Sequence, residues 1–289
     1  MNRWRGCACV LVLCALLGGL LAGCRGETPA GGQGAGALRV AALAPGLSAM
    51  VREMGLEDRI VARHAFDVWS DAHLPAVGDQ SGIDYEALIA SAPTHVLLQA
   101  GAGGVPERLT ALASARGWRV LAVPMLTLEE VEEADGRVRA FLGVPLAAGG
   151  GRLAEAWPGE IFRGRVLLLA GVDPPTVLGP GSYHQELLVR LGGVPALGVG
   201  EGKAYMTLDA EDIARLAPEG IVLIVPRGRG GLARGVSAVD RLGVLGRLDL
   251  PGVRAGRVAV IDDEQGLVPG PGLRVVGREM GEILERWGR

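Results

Sequence analysis

Cysteine stops early in this 289-residue sequence: the four cysteines are Cys7, Cys9, Cys14 and Cys24, and none follows. Residues 25–289 therefore have neither a disulfide nor a thiolate metal site to hold them together. Lysine is almost missing, Lys203 being the only one, so arginine carries the positive charge. Aromatic residues make up 4% and charged residues 21%, against 49% apolar. Stability must then come from burying aliphatic side chains, and the disordered and fibrous classes are excluded. The formal net charge of -3 leaves no basic footprint for nucleic acid. The apolar run Val10 to Leu21 falls well short of the roughly 20 residues a membrane-spanning helix needs. P-loop, G-x-S-x-G, H-E-x-x-H and dinucleotide-binding signatures are missing in the context each requires, so the chain is read as non-enzymatic.

The amino terminus has its own chemistry. Arg3 and Arg5 precede the apolar run, which ends in Leu21-Ala22-Gly23-Cys24. A charged region, a short apolar region and small residues before a cysteine form a secretory leader over residues 1–23. The Leu-Ala-Gly-Cys string resembles the bacterial lipobox, and that resemblance makes Cys24 the lipidated first residue of an exported protein. The Gly-rich stretch 24–37 then reads as a flexible tether.

A repeated unit organises the remainder. Asp84 to Leu98 (DYEALIASAPTHVLL) returns 125 positions later as Asp209 to Leu223 (DAEDIARLAPEGIVL). Asp84 and Asp209 can cap a helix, Glu86 and Glu211 fall where the helix dipole favours an anion, and Pro93 and Pro218 force an exit into an apolar strand. Two such units imply two similar α/β lobes, 38–127 and 161–289.

In the first lobe, strands are expected at Leu38–Leu43, Arg59–Ala62, His95–Gln99 and Trp118–Val123. Helices are expected at Ser48–Gly55, Tyr85–Ala92 and Pro106–Arg116. Segment 128–160 connects the lobes: Thr127–Phe141 reads as an exposed helix, and Leu146–Trp157 continues it across Gly149-Gly150-Gly151. In the second lobe, the strand Arg165–Ala170 leads through a turn at Gly171–Pro175 to a helix from Ser182 to Leu191. Ser182 serves as its cap and Gln185 as the capping-box partner. The helix Ala210–Ala217, the strands Ile221–Val225 and Arg257–Ile261, and the closing helix Leu273–Trp287 follow. Arg227–Arg234 reads as a loop, and Val236–Leu248 stays open between helix and coil. The alternation implies parallel sheets, with a ligand crevice outside the carboxyl ends of the strands.

Candidate chemistry lies mostly in that crevice. The loop Arg63–Gln80 carries His64, Phe66, Trp69, Asp71 and His73. His64 and His184 fall one per lobe and could face each other, whereas His95 sits at the far end of its strand and reads as structural. There is no H-x-x-x-H or His/acid cluster of the kind a dedicated metal site requires. Trp69, Tyr183 and Tyr205 could stack on a planar ligand or fill the core. Asp262, Asp263 and Glu264 cluster on a turn, but nothing places them around a nucleophile.

The chain resembles the substrate-binding proteins of iron-siderophore, haem and cobalamin ABC importers. The likeness is carried by Arg39–Pro45, Met54–Ile60, the two Glu-x6-Pro units, Gly171–Pro175, Ser182 through Gly192-Gly193, and Pro269-Gly-Pro271. It implies two Rossmann-like α/β lobes with central parallel sheets, joined by a connecting helix, as in helical-backbone periplasmic binding proteins. It further implies that Glu86 and Glu211 dock on arginines of a permease dimer in the inner membrane. Ligand contacts are implied at Pro45, His64, Phe66, Trp69, Gln80, Gln99, Gly101, Tyr183, His184, Tyr205 and Asp263. Tyr205 stands six residues before Glu211, where cobalamin binders carry an aromatic, and Gln80 departs from that pattern before Glu86. The expectation is a monomeric, exported, lipid-anchored receptor facing the periplasm or cell exterior. It has no cofactor of its own, and its ligand (an iron chelate, haem or corrinoid) would bring the iron or cobalt. A zinc or manganese receptor and a lipoprotein sensor or enzyme on the same fold are the rival readings.

Overall fold

The computed structural model describes residues 37–101, 103–145, 152–200, 202–226 and 236–289. The leader, Cys24, the tether up to Gly36, Gly149–Gly151 and Arg227–Arg234 lie outside the described residues.

The first lobe runs β1 (Val40–Ala42), α1 (Pro45–Glu53), β2 (Ile60–Ala62), β3 (Gly78–Asp79), β4 (Gly82–Ile83), α2 (Tyr85–Ala90), β5 (His95–Gln99), α3 (Glu107–Arg116) and β6 (Arg119–Val123). Its sheet has the order β2-β1-β5-β6 and is parallel throughout. Strand residues alternate between two clusters: Val40, Ala42 and Leu97 enter one, and Ala41, Leu43 and Val96 the other. Both faces are therefore covered, as a parallel sheet with crossover helices requires. α1 starts earlier than the expected Ser48, because Pro45 supplies a preset φ at the first helical turn.

α4 (Leu128–Leu142) begins with a full capping box between Thr127 and Glu130. It ends at Gly143, which adopts a left-handed φ of 73°. The expected helical continuation toward Trp157 is not present in its described part, residues 152–157. Here the chain is an irregular strap across α4 and the closing helix. The Leu153 amide donates to Glu132 Oε1 at 2.7 Å, and Trp157 Nε1 donates to Glu285 Oε2 at 3.0 Å.

The second lobe runs β7 (Arg165–Val172), β8 (Pro175–Leu178), α5 (Tyr183–Arg190), β9 (Val194–Pro195), β10 (Tyr205–Thr207), α6 (Ala210–Leu216), β11 (Gly220–Val225), α7 (Pro251–Arg254), β12 (Val258–Asp262) and α8 (Leu273–Gly288). Its sheet order is β10-β8-β7-β11-β12, with β9 on the start of β7. β7, β11 and β12 are parallel, while β8 pairs antiparallel with both β7 and β10. The expected turn at Gly171–Pro175 is thus a hairpin whose arms are longer than anticipated. Pro175 can open β8 because the first residue of a strand tolerates a missing donor. Val236–Leu248 resolves into two short 3-10 turns, Asp240–Leu242 and Leu245–Arg247. Gln185 makes only half of the expected capping box. Its amide donates to Ser182 Oγ at 3.1 Å, but its side chain reaches Gly198 O at 2.7 Å.

The helices between the sheets share one hydrophobic cluster. It joins Leu47 and Met50 of α1 and Leu128 and Val138 of α4 to Leu187 of α5 and Met280 and Leu284 of α8. Ion pairs Glu53–Arg274 and Glu132–Arg190 cross the same boundary, and the Leu128 amide donates to Glu186 Oε2 at 2.6 Å. A continuous apolar seam with charged edges holds the lobes in one arrangement, so the short connector does not leave them loosely hinged.

Candidate functional site

The two copies of the repeat adopt the same local structure. Asp84 Oδ1 accepts the amides of Glu86 and Ala87, each at 3.0 Å, and Asp209 Oδ1 accepts the Asp212 amide at 2.7 Å. Each helix is shorter than expected, and each is followed by an alanine at φ 44° (Ala92, Ala217) before its proline. The residue before a proline is discouraged from right-handed helix, and the turn into the strand takes it left-handed instead. Glu86 and Glu211 are the second residue of their helices, and both are exposed. Glu211 meets Arg215 at 3.4 Å, and its side chain is 82% exposed.

Of the positions expected to meet a ligand, those of the first lobe and Asp263 fall at the carboxyl ends of the parallel strands or on the loops and hairpin beside them, whereas Tyr183 and His184 lie in α5 and Tyr205 in β10. Pro45 follows β1, the His64–Trp69 loop follows β2, Gln99 ends β5 and Gly101 follows it, and Asp263 follows β12. Gln80 forms the exposed tip of the hairpin between β3 and β4. His64 and Gln99 come together in one cavity of about 270 Å³, shared with Leu43, Asp79, Gly82 and Leu98. A neighbouring cavity of about 360 Å³ is lined by Ala65, Asp79, Ser81 and Asp84. His64 is tied to the backbone: Nδ1 accepts the Phe66 amide at 3.1 Å, and the ring also bonds the Asp79 backbone. Partial burial lowers its pKa, against the pull of Asp79 and Asp67.

In the second lobe three residues form a chain. Tyr205, a residue 46% exposed, donates from its Oη to Tyr183 Oη at 3.0 Å, and Tyr183 donates to Leu267 O at 2.8 Å. Burial raises both phenols, Tyr183 well above the ordinary tyrosine value. Asp263 Oδ1 accepts the Gln265 amide at 2.9 Å and closes the turn that follows β12.

The expected pairing of His64 with His184 across the crevice does not occur. His184 is completely enclosed, packed on Tyr183 with ring centroids 4.3 Å apart, and its Nε2 meets Gly266 O at 2.7 Å. As the second residue of α5 it faces the core, where it pins the Gly266–Leu267 turn beside the Tyr183 bond. Its Nδ1 has no partner among the described residues. His95 is structural as expected, with Nδ1 against Thr94 Oγ1 at 2.9 Å and Phe141 edge-on at 5.1 Å.

Burial lowers the His184 pKa to about 4, only partly offset by the Gly266 bond. The unfolded chain takes up this proton near pH 6.5, whereas the folded chain resists it until pH is near 4. Stability from this site is thus full at pH 7 and falls as acid is added through that window. Between pH 7 and pH 5 the loss is about 2 kcal/mol. His184→Gln, which keeps a donor for Gly266 O, is expected to remove that part of the pH dependence in denaturant titrations. An unchanged slope in the variant would show that another group titrates.

No protein-family model matches the chain, and no curated protein matches it in sequence. Solved structures do match in fold. A periplasmic haem-binding protein, BhuT, in complex with two haems superposes with a TM-score of 0.65 at 23% identity, over 87% of this chain and 99% of the other. The periplasmic haem-binding protein RhuT from Roseiflexus sp. RS-1, in its apo form, gives 0.64 at 18% identity, over 88% and 100%. The periplasmic vitamin B12 binding protein BtuF of Vibrio cholerae gives 0.60 at 16% identity, over 87% and 98%. At these identities the likeness establishes the fold, and it spans those proteins from end to end.

Proposed function

We propose that this chain, which has the fold of periplasmic haem- and B12-binding proteins, is the substrate-binding component of an ABC importer. It captures a haem, corrinoid or iron chelate between its lobes and is held to the membrane through a lipid on Cys24. The observation that carries this reading is the placement of the implied contact positions. On a fold shared along nearly its whole described length with a haem binder, Pro45, the 64–69 loop, Gln99, Gly101 and Asp263 all sit at strand carboxyl ends. Phe66, Trp69 and Tyr205 supply partly exposed rings on both lobes for the faces of a planar ligand. His184, being enclosed, supports the turn beneath Tyr183 and Tyr205 and does not meet the ligand. Glu86 and Glu211, one exposed carboxylate per lobe at matching helix positions, form the docking surface for permease arginines.

A zinc or manganese receptor would need three or four convergent ligands. Among the described residues no three His, Cys, Asp or Glu side chains converge, so nothing favours that reading over the first.

Absorption titration of residues 25–289 with haem, cobalamin and ferric chelates tests the proposal. Saturable binding of one class, with a spectral shift, is expected. Absence of binding to all three, or turnover of any of them, would overturn it.

A further inference from the structure

The loop that presents Phe66 and Trp69 is wound around a carboxylate that never reaches solvent. Asp67 is fully buried. Its Oδ1 accepts the amides of Trp69 and Ser70 at 3.3 and 3.2 Å, and its Oδ2 accepts the Ser70 hydroxyl at 2.6 Å. Arg52 of α1 reaches in from the lobe body. Its Nη1 lies 2.8 Å from Ser70 Oγ and 3.4 Å from Asp67 Oδ1.

A second arginine ties the outside of the same loop. Arg63 Nη1 donates to the carbonyls of His64, Ala65 and Asp67 at 3.2, 3.4 and 3.1 Å. The Ala65 amide donates to Gly78 O at 2.8 Å, which joins the loop to the β3–β4 hairpin. Burial by itself would raise the Asp67 carboxyl. The hydrogen bonds from Ser70 and the charge of Arg52 help outweigh it, so the Asp67 pKa is lowered from the ordinary aspartate value.

The outward side chains are of a different kind. Phe66 is 40% exposed and Val68 54% exposed, on a segment whose backbone is bonded from within. A flexible loop would fold such side chains away from water, and here the buried polar network holds them out. Rigid apolar side chains on a pre-ordered loop lose little freedom when a flat ligand seats on them.

On the reading that this loop meets a planar chelate, we propose that Asp67 is a positioning residue. Its buried carboxylate, clamped by Arg52 and Ser70, holds residues 64–70 in the binding conformation before the ligand arrives. Asp67 does not touch the ligand itself. It acts by keeping the competent loop highly populated, and apparent affinity falls in proportion to that population.

The test compares Asp67→Asn and Ser70→Ala with Asp71→Asn, whose carboxylate only caps a nearby exposed turn. Hydrogen exchange of the 64–70 amides is followed in the ligand-free proteins, and haemin and cyanocobalamin are titrated into each. Exchange in 64–70 is expected to quicken in both cluster variants and not in Asp71→Asn. Whichever probe the parent protein binds should bind roughly tenfold to a hundredfold more weakly to the cluster variants. The remaining amides should keep their protection, which separates loop release from general destabilisation. Ser70→Ala leaves no buried charge unpaired and keeps the test open if Asp67→Asn fails to fold. Unchanged loop exchange, or a loosened loop with undiminished affinity, overturns the proposal. A parent protein that binds neither probe but shows the loop response instead counts against haem and corrinoid as ligands, while leaving the ordering role of Asp67 standing.

Discussion

Cells producing the chain with Glu86→Ala and Glu211→Ala together are expected to lose uptake of the ligand while the purified double variant binds it as tightly as the parent. Both glutamates are exposed, and neither is a partner in the hydrogen bonds that hold Asp67 or Tyr183, so their removal breaks none of those bonds. Each would meet its arginine only in the docked complex. Truncating one member of such a desolvated pair costs about 2–5 kcal/mol, or some thirtyfold to several thousandfold in affinity. Losing both should take docking below what transport needs, and each single variant should fall between the extremes. Uptake assays with labelled ligand, alongside titration of the purified protein, read both halves. Undiminished uptake in the double variant would remove the docking role, and a parallel loss of ligand affinity would place the glutamates in the binding site instead.

Gly46→Ala is expected to damage the protein far more than its one added methyl group suggests. A Cβ at Gly46 would stand 1.9 Å from the Pro269 carbonyl oxygen and 3.1 Å from Met125 Cε. Pro269 belongs to the segment after β12, so the clash falls where the two lobes meet backbone to backbone. Gly270 stands against Gly46 from the other side, its own Cβ direction 3.3 Å from Gly46 O. The Pro269-Gly-Pro-Gly string is therefore a close crossing of two main chains, which only glycine permits. Relief requires the lobes to shift, at a cost of about 3 kcal/mol or more. That lowers the thermal midpoint by roughly 6–12 °C for a body of this size. Gly103→Ala, where an added methyl meets nothing within 4 Å, is the matched control and should melt with the parent protein. Equal midpoints for the two variants would mean that the lobe contact yields easily.

Elements with a strong local signature are legible in the amino-acid sequence. The capping aspartates Asp84 and Asp209 accept helix amides as the repeat implies, and the strands β5, β6, β7, β11 and β12 fall within a few residues of their expected places. These signals concern neighbours in the chain, or a period that registers burial on both faces of a sheet. Short or nonlocal elements are not legible in this way. β3, β4, β9 and β10 have two or three residues each, too few for a period, and they form because a partner strand is already in place. The strap at 152–157 carries a helical pattern without being a helix, because Leu153, Ala154, Ala156 and Trp157 satisfy that pattern while the segment is held instead by Glu132 and Glu285.

The candidate site divides in the same way. That Glu86 and Glu211 occupy equivalent, outward positions follows from a spacing of 125 repeated in the sequence, since a capped first turn sets its own geometry. Whether a polar side chain points into the crevice or into the core does not follow. His184 and Tyr205 are alike as candidates in sequence, yet one is enclosed against Gly266 and the other is partly exposed at the edge strand β10. Nothing local distinguishes Asp67 from the other charged residues of its loop; the partner that sets it apart, Arg52, lies 15 positions earlier. By itself the sequence determined the two α/β units, the capped starts of the two repeat helices and the paired carboxylates, because these depend on local chemistry within a turn or two. Tertiary structure alone decided which side chains are buried, how the lobes share one core, and which loops are held rigid. Those depend on contacts between residues far apart in the chain, and no local pattern encodes them.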